Sequence, residues 1–259
     1  LDVVSIALIG ILGLALGSFA NVVVYRVPRR ESVVAPRSRC PSCATTLAWW
    51  ENVPVVSWVL LRARCRTCRA PISWRYPAVE LLTGGLFVLT AARLDRASDL
   101  VAYLPLVWVL IVLSFIDLEH KLLPNRIVYP SIGIGVALFG IAAAVGPGLG
   151  AWVRALGAGG AAFGLLLGLA LAYPAGMGMG DVKLVALLGM SLGYLPDGWG
   201  RLFVGLMLAF TAGAVGGIAL IVLRRGGMKS QVPFGPYLAA GTLAGILWGG
   251  ALLDIWLRR

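Results

Sequence analysis

Eight apolar runs limit what this chain can fold into: roughly residues 3–25, 77–92, 100–117, 127–146, 155–173, 181–195, 202–223 and 236–256. A helix needs about 20 apolar residues to cross the hydrocarbon core of a bilayer, fewer where the bilayer thins. The runs at 77–92 and 181–195 are short for that. Hydrophobic residues make up 59% of the chain and charged residues 13%, against about 45–50% apolar in a soluble domain. The pattern predicts an all-α polytopic membrane protein of about eight transmembrane helices with a small cytoplasmic zinc-binding loop domain. Its parts are a first transmembrane helix at 1–25, the loop domain at 26–76 and a seven-helix membrane domain at 77–259. The first run leads into Tyr25-Arg26 with no small-residue cleavage pattern, so a cleavable signal is not expected. Gly160, Gly164 and Gly168, and again Gly241, Gly245 and Gly249, repeat every four residues. Small residues at that spacing are expected where helices touch in lipid.

Charge sets the orientation. Of the net +11, the loop 26–76 holds ten arginines against Glu31 and Glu51, a net +8. Basic loops stay in the cytoplasm. The turns near 117–126, 174–181 and 224–235 then fall on the same side. Lys121, Arg126, Lys183, Arg224, Arg225 and Lys229 agree with this, and Arg258 and Arg259 oppose it. The charge reads as topology, so the expected partner is the lipid bilayer and no nucleic acid is expected.

Within the loop, Cys40-Pro41-Ser42-Cys43 and Cys65-Arg66-Thr67-Cys68 form CxxC…CxxC, and these are the only four cysteines in the chain. Four thiolates in two knuckles suit a tetrahedral zinc site with no open position, hence a structural one. A redox pair is the alternative, disfavoured on a cytoplasmic face. Between the knuckles, residues 47–61 carry Trp49, Trp50 and Trp58 and are too short to span. They are expected either to lie on the membrane or to form a small core for the loop.

Two acidic clusters end up at the cytoplasmic edge. Asp117-Leu118-Glu119-His120 closes the third run, and Gly178-Met179-Gly180-Asp181-Val182-Lys183 opens the sixth. Asp181 alone reads as a helix N-cap and Asp117 alone as a partner of Lys121. Together they read as function, because ionisable groups at membrane depth are costly. A carboxylate pair suits aspartyl protease chemistry, one activating water and the other polarising the scissile carbonyl. Asp181, at a helix start, is expected to be the base, and Asp117, at a helix end, its acid partner.

These stretches resemble the type IV prepilin peptidases, bifunctional leader peptidases and N-methyltransferases of the GxGD aspartyl protease class. Gly17-Ser18-Phe19-Ala20-Asn21-Val22-Val23-Val24-Tyr25-Arg26-Val27-Pro28 is similar to the family's GSFLNVVIYRLP, with Ala20 where leucine is common. The two knuckles, Arg75-Tyr76-Pro77-Ala78-Val79-Glu80-Leu81, the Asp117 region, Gly178–Lys183 and Val232-Pro233-Phe234-Gly235-Pro236-Tyr237 follow in family order. The resemblance implies catalytic Asp117 and Asp181, supported by Gly178, Gly180, Lys183 and Glu119. It implies prepilins and pseudopilins as substrates, a bacterial inner-membrane location and S-adenosylmethionine as methyl donor. Asn21, Glu51 and Glu80 are candidates to hold that donor. The competing readings are an ion-coupled membrane carrier, which predicts acids near mid-bilayer, and a non-catalytic scaffold with a zinc docking module. The orientation predicts that single cysteines at Ser42 and Met179, in a cysteine-free background, label from the same side of the membrane. Labelling from opposite sides refutes it.

Overall fold

The computed structural model describes residues 1–173, 177–223 and 233–257. Arg224, Arg225, Lys229, Val232, Arg258 and Arg259, which entered the sequence argument, lie outside the described residues. The chain forms two compact units, Leu1–Arg93 and Leu94–Arg259. Among the described residues the regular structure is helical, apart from two isolated β-bridges.

The first unit is built on α1 (Val3–Arg26) and α3 (Arg75–Arg93), with the short α2 (Val56–Leu60) between them. Small residues let α1 and α3 touch: a Cβ built on Gly17 would lie 2.7 Å from Glu80 Cα, and one on Gly13 would lie 2.8 Å from Gly84 Cα. The facing helices thus hold the two ends of the loop 26–76 together. Asn21 Nδ2 donates to the Tyr76 carbonyl at 3.1 Å, and the Arg26 guanidinium donates to Ser32 O and Pro36 O. The apolar stretch 47–61 buries little. Trp49 is 76% exposed, and α2 exposes Val56, Val59 and Leu60. That suits the membrane-surface expectation better than a loop core.

The second unit holds α4 (Leu100–His120), α5 (Asn125–Val145), α6 (Leu149–Ala172), α7 (Met179–Tyr194), α8 (Gly198–Val222) and α9 (Gly235–Leu257). α7 lies at its centre, packed on α5, α6, α8 and α9, with every residue from Leu187 to Tyr194 buried. Sixteen residues of helix reach about 24 Å. A helix covered by protein on its sides does not have to match the lipid thickness. Among the described residues, six helices are long and apolar enough to cross a membrane: Val3–Arg26, Ala97–His120, Asn125–Val145, Leu149–Ala172, Gly198–Leu220 and Gly235–Trp256. α3 and α7 do not reach that standard, so the expected eight spans appear here as six plus two shorter helices.

The glycine expectation holds for α9 and fails for α6. Gly245 lies against Gly205 and Gly249 against Arg201 of α8. Gly160, Gly164 and Gly168 are exposed, with nothing near them. The contact is made one residue away, about 100° round the helix, where a Cβ on Gly159 would lie 2.7 Å from Ala186 O of α7. The far end of α7 is tied by polar groups that the sequence reading did not single out. Tyr194 donates to Asp99 Oδ1 at 2.9 Å, Tyr103 donates to Ser191 O at 2.6 Å, and Arg154 donates to the carbonyls of Gly193, Tyr194 and Leu195. Arg154 is a charged residue among apolar ones, and that was the signal available for finding it; Asp99 ends a polar stretch and carried no such signal.

Gly159→Val should overpack the α6–α7 contact and cost about 1–3 kcal/mol. Gly160→Val, facing outward, should change stability by less than about 0.5 kcal/mol. Thermal unfolding in detergent micelles checks the contrast, and equal effects would reject this register.

Candidate functional site

In the second unit, Asp117 and Asp181 come from the ends of two different helices. Asp117 is in the last turn of α4 and is 5% exposed. Its backbone carbonyl accepts from Lys121 N–H at 2.8 Å, where Lys121 turns the chain at φ 51°. Asp181 is in the first turn of α7, after Gly178. The two carboxylates are near enough to act on each other electrostatically. Asp181 Oδ1 is buried with no hydrogen-bond partner, and Asp117 Oδ2 accepts from the backbone N–H of Gly235 at 2.8 Å.

That Gly235 contact corrects the expected division of labour. Helix ends were to distinguish the two acids, with only Asp181 at a positive end. Gly235 is the first residue of α9, so Asp117 also faces a helix N-terminus, and helix ends no longer separate base from acid.

The supporting residues have definite positions. A Cβ on Gly180 would lie 3.0 Å from Leu123 Cβ, and one on Gly178 would lie 3.1 Å from Asp181 Oδ2. Lys183 Nζ donates to Asn125 Oδ1 at 3.2 Å and stands 5.0 Å from the Tyr129 ring centre. Glu119 Oε2 is 3.9 Å from His120 Nε2.

In the first unit, the two knuckles are built alike. Cys40 N–H donates to Thr45 O and Cys65 N–H to Ala70 O, both at 2.9 Å. Leu47 N–H closes on Ser38 O, and Ile72 N–H on Ala63 O. Ala44 and Arg69, each one residue past its CxxC, adopt φ of 58° and 60°. The four sulfurs lie within 4.8 Å of one another and could hold a metal ion. Cys40 Sγ is 3.8 Å from Cys68 Sγ, and Cys43 Sγ is 4.0 Å from Cys65 Sγ. Thr45 pulls the Cys43 thiol down to about 6. The backbone N–H groups of Cys68 and Thr67 lower Cys65. Despite the Ala70 N–H, burial and the neighbouring sulfurs push Cys68 up to about 11. Four thiols so close ionise together only against their mutual repulsion, which a cation among them would offset.

Beside the knuckles is a cavity of about 750 Å³ lined by Ser18, Asn21, Glu51, Tyr76 and Glu80, with Cys40 and Cys65 on its wall. The three residues proposed from sequence to hold a methyl donor therefore share one cavity. Glu51 also has local partners: Oε2 accepts from Ala48 N–H at 2.7 Å, and Oε1 meets Arg66 Nε at 3.3 Å. Glu80 Oε2 accepts from Val55 N–H at 2.7 Å. Asn21, 3% exposed, spends its amide N–H groups on two carbonyls and leaves Oδ1 without a partner.

Fold and site together define a polytopic helical membrane protein with a paired-aspartate site in one unit and a four-cysteine module in the other. Residues 11–94 match the model of the bacterial peptidase A24 N-terminal domain, and residues 104–220 match that of the type IV leader peptidase family. The chain is 38% identical to a prepilin leader peptidase/N-methyltransferase of Aeromonas hydrophila, over 98% of this chain and 94% of that protein. It is 45% identical to one of Myxococcus xanthus, over 82% of this chain and 62% of that protein, and 34% identical to one of Pseudomonas aeruginosa, over 96% and 92%. The chain belongs to the type IV leader peptidase family. No solved structure matches it.

Cobalt(II) added to the metal-free protein should bind one ion per chain and give thiolate-to-metal absorption bands. Replacing any one of Cys40, Cys43, Cys65 or Cys68 by Ser should weaken those bands and lower affinity at least about 10-fold. Bands that survive a Cys→Ser change intact would rule that sulfur out as a ligand.

Proposed function

We infer that this chain removes the leader peptide from type IV prepilins and pseudopilins and N-methylates the amine so exposed. The observation that carries this is similarity to a protein named for both activities, running over 98% of this chain. A carrier or a non-catalytic scaffold gains no support from such relatives.

Asp117 and Asp181 are the peptidase pair in this reading. One carboxylate takes a proton from the attacking water. The other, protonated, hydrogen-bonds the scissile carbonyl as its oxygen gains charge. The burial of Asp117, the influence of the two acids on each other and the shielded, unpartnered Asp181 Oδ1 support the assignment. Gly178 leaves room beside Asp181, Gly180 lets the turn approach Leu123, and Lys183 braces the turn through Asn125. Glu119 joins the acids in attracting the basic leader.

The four cysteines are proposed to hold a structural zinc. A Zn–S bond of about 2.3 Å gives a tetrahedron with edges of about 3.8 Å, close to the observed 3.8 and 4.0 Å. Residues 26–76 are then a zinc-binding module on the cytoplasmic side, with α3 and α7 joining the six longer helices to make eight spans of the bacterial inner membrane. The arginine-rich loop supports that orientation.

The cavity beside the knuckles is proposed to hold S-adenosylmethionine. Its volume lies within the range of about 300–1,000 Å³ typical of small-molecule pockets. Glu51, Glu80 and the unpartnered Asn21 Oδ1 make its wall rich in acceptors, which suits a cationic molecule with an ammonium group. That molecule supplies an electrophilic methyl group, and this chain's part is to hold it and the amine in reach of each other.

Purified protein incubated with a prepilin should release the leader, seen as a mobility shift on a gel. With S-adenosylmethionine present, the mature pilin should gain one methyl group by mass. Asp117→Asn and Asp181→Asn should each cut leader cleavage to below about one-thousandth, while methylation of an already cleaved pilin persists. Full cleavage by either variant overturns the peptidase assignment.

A further inference from the structure

We infer that the backbone N–H of Gly235 is a working part of the peptidase site: it fixes the Asp117 carboxylate through Oδ2, and position 235 must lack a side chain for it to do so. This rests on the reading of Asp117 and Asp181 as the peptidase pair.

The contact joins residues far apart in the chain. Gly235 N–H donates to Asp117 Oδ2 at 2.8 Å in a buried setting, across 118 residues of sequence. The need for glycine is one of space. A Cβ at 235 would lie 2.9 Å from Asp117 Oδ2 and 3.4 Å from both Cβ and Cγ of Asp117. That is too close for the carboxylate to stay where it is.

The start of α9 is arranged to present this one donor. The first N–H groups of a helix have no partner within it. Here the N–H groups of Tyr237 and Leu238 both turn back to Phe234 O at 3.1 Å, and Pro236 has none. Gly235 is left as the N–H offered outward, and Asp117 is its acceptor.

The donor is also held in place. The Phe234 ring packs against Phe210 at 5.2 Å and Tyr237 at 6.4 Å between centroids. It fills the space left by Gly213, where a Cβ would lie 2.6 Å from the ring. The electrostatics favour the pairing from the side of Asp117 as well. Its own helix ends there, presenting carbonyl oxygens, and the positive end of α9 offsets that repulsion. With Oδ2 engaged by Gly235, the carboxylate is oriented with Oδ1 as its other edge for water or substrate. Gly235 is thus a positioning residue, acting through Asp117.

The test is steady-state cleavage of a prepilin by full-length protein carrying Gly235→Ala or Gly235→Pro. The first crowds the carboxylate. The second deletes the donor at a helix position where proline is otherwise favoured. Both should lower kcat at least about 10-fold, the scale of a misplaced reacting group, with KM unchanged within about 2-fold. Methyl transfer to an already cleaved pilin should continue at the wild-type rate, which a general folding defect would not allow. Unchanged kcat in folded Gly235→Pro overturns the inference, as does a change in KM alone. If Asp117→Asn still cleaves, the pair reading falls and takes this one with it. If Asp117→Asn is inactive while Gly235→Pro is not, only the role of Gly235 falls.

Should both variants fail to fold, NMR with Gly235 in place decides, comparing the unchanged protein with Asp117→Ala. Carbonyl-labelled Phe with ¹⁵N-Gly isolates three pairs, at 139–140, 163–164 and 234–235. In Asp117→Ala, the 234–235 amide proton should move upfield and the other two should stay. A 234–235 resonance that does not move overturns the inference.

Discussion

The backbone of α6 touches the backbone of α7, and the placement of Asp181 depends on that contact. Gly159 faces Ala186 O, and Gly189 answers it from the other helix, where a Cβ would lie 2.8 Å from Ala158 O. Without a side chain on either, the axes draw together and α7 sinks into the middle of the second unit. A helix there is shielded by protein, so it can be short and can start with an ionisable residue. Asp181 therefore sits in the first turn of a helix packed into the unit, itself half-buried but with Oδ1 shielded from solvent. At the other end, Tyr194, Asp99 and Arg154 stop α7 from sliding along its axis. The position of Asp181 is set by contacts at the middle and the far end of the helix it opens.

Asp117 is held by a different route, and the two routes meet. α4 brings the carboxylate to its own C-terminal turn, which is electrostatically unfavourable for it. α9 corrects this by arriving with its N-terminus at the same point. Proline at 236 and the backward-turning N–H groups of Tyr237 and Leu238 concentrate the correction on one donor. One acid is thus fixed through its helix and the other through a backbone N–H from a third helix. A pair fixed so differently can respond differently to substrate, although the two side chains are chemically the same.

What could be read from sequence was what local spacing fixes. The CxxC pairs, the Gly-x-Gly-Asp turn and the acidic end of α4 each declare themselves within a few residues. The sulfurs of Cys40, Cys43, Cys65 and Cys68 do come together, and Asn21, Glu51 and Glu80 do line one cavity. What could not be read was direction. A repeat at Gly160, Gly164 and Gly168 marks a stripe on a helix, but periodicity does not say whether a stripe faces lipid or protein, because both are apolar. The inward stripe passes through Gly159. Hydropathy meets the same difficulty on α7, since burial in protein and burial in lipid score alike. The tie from Gly235 to Asp117 lies beyond local pattern altogether.

In the first unit the same kind of close contact serves the four-cysteine loop. A loop of about fifty residues is costly to order when its ends are free, and the cost depends only weakly on length once they are joined. Here they are joined before any metal is considered. Gly17 lies against Glu80, Asn21 bonds the Tyr76 carbonyl, and Arg26 grips the loop as it leaves α1. On that base the knuckles form two copies of one backbone pattern, each closed by its own hydrogen bonds. Their sulfurs then converge with little left to organise except charge. Arg66 meets Glu51 while lying over Trp50 at 5.4 Å, so the second knuckle is tied to the wall of the cavity beside it. Distorting the knuckle would pull on that wall. The four-cysteine cluster and the cavity beside it are therefore linked through Arg66 and Glu51.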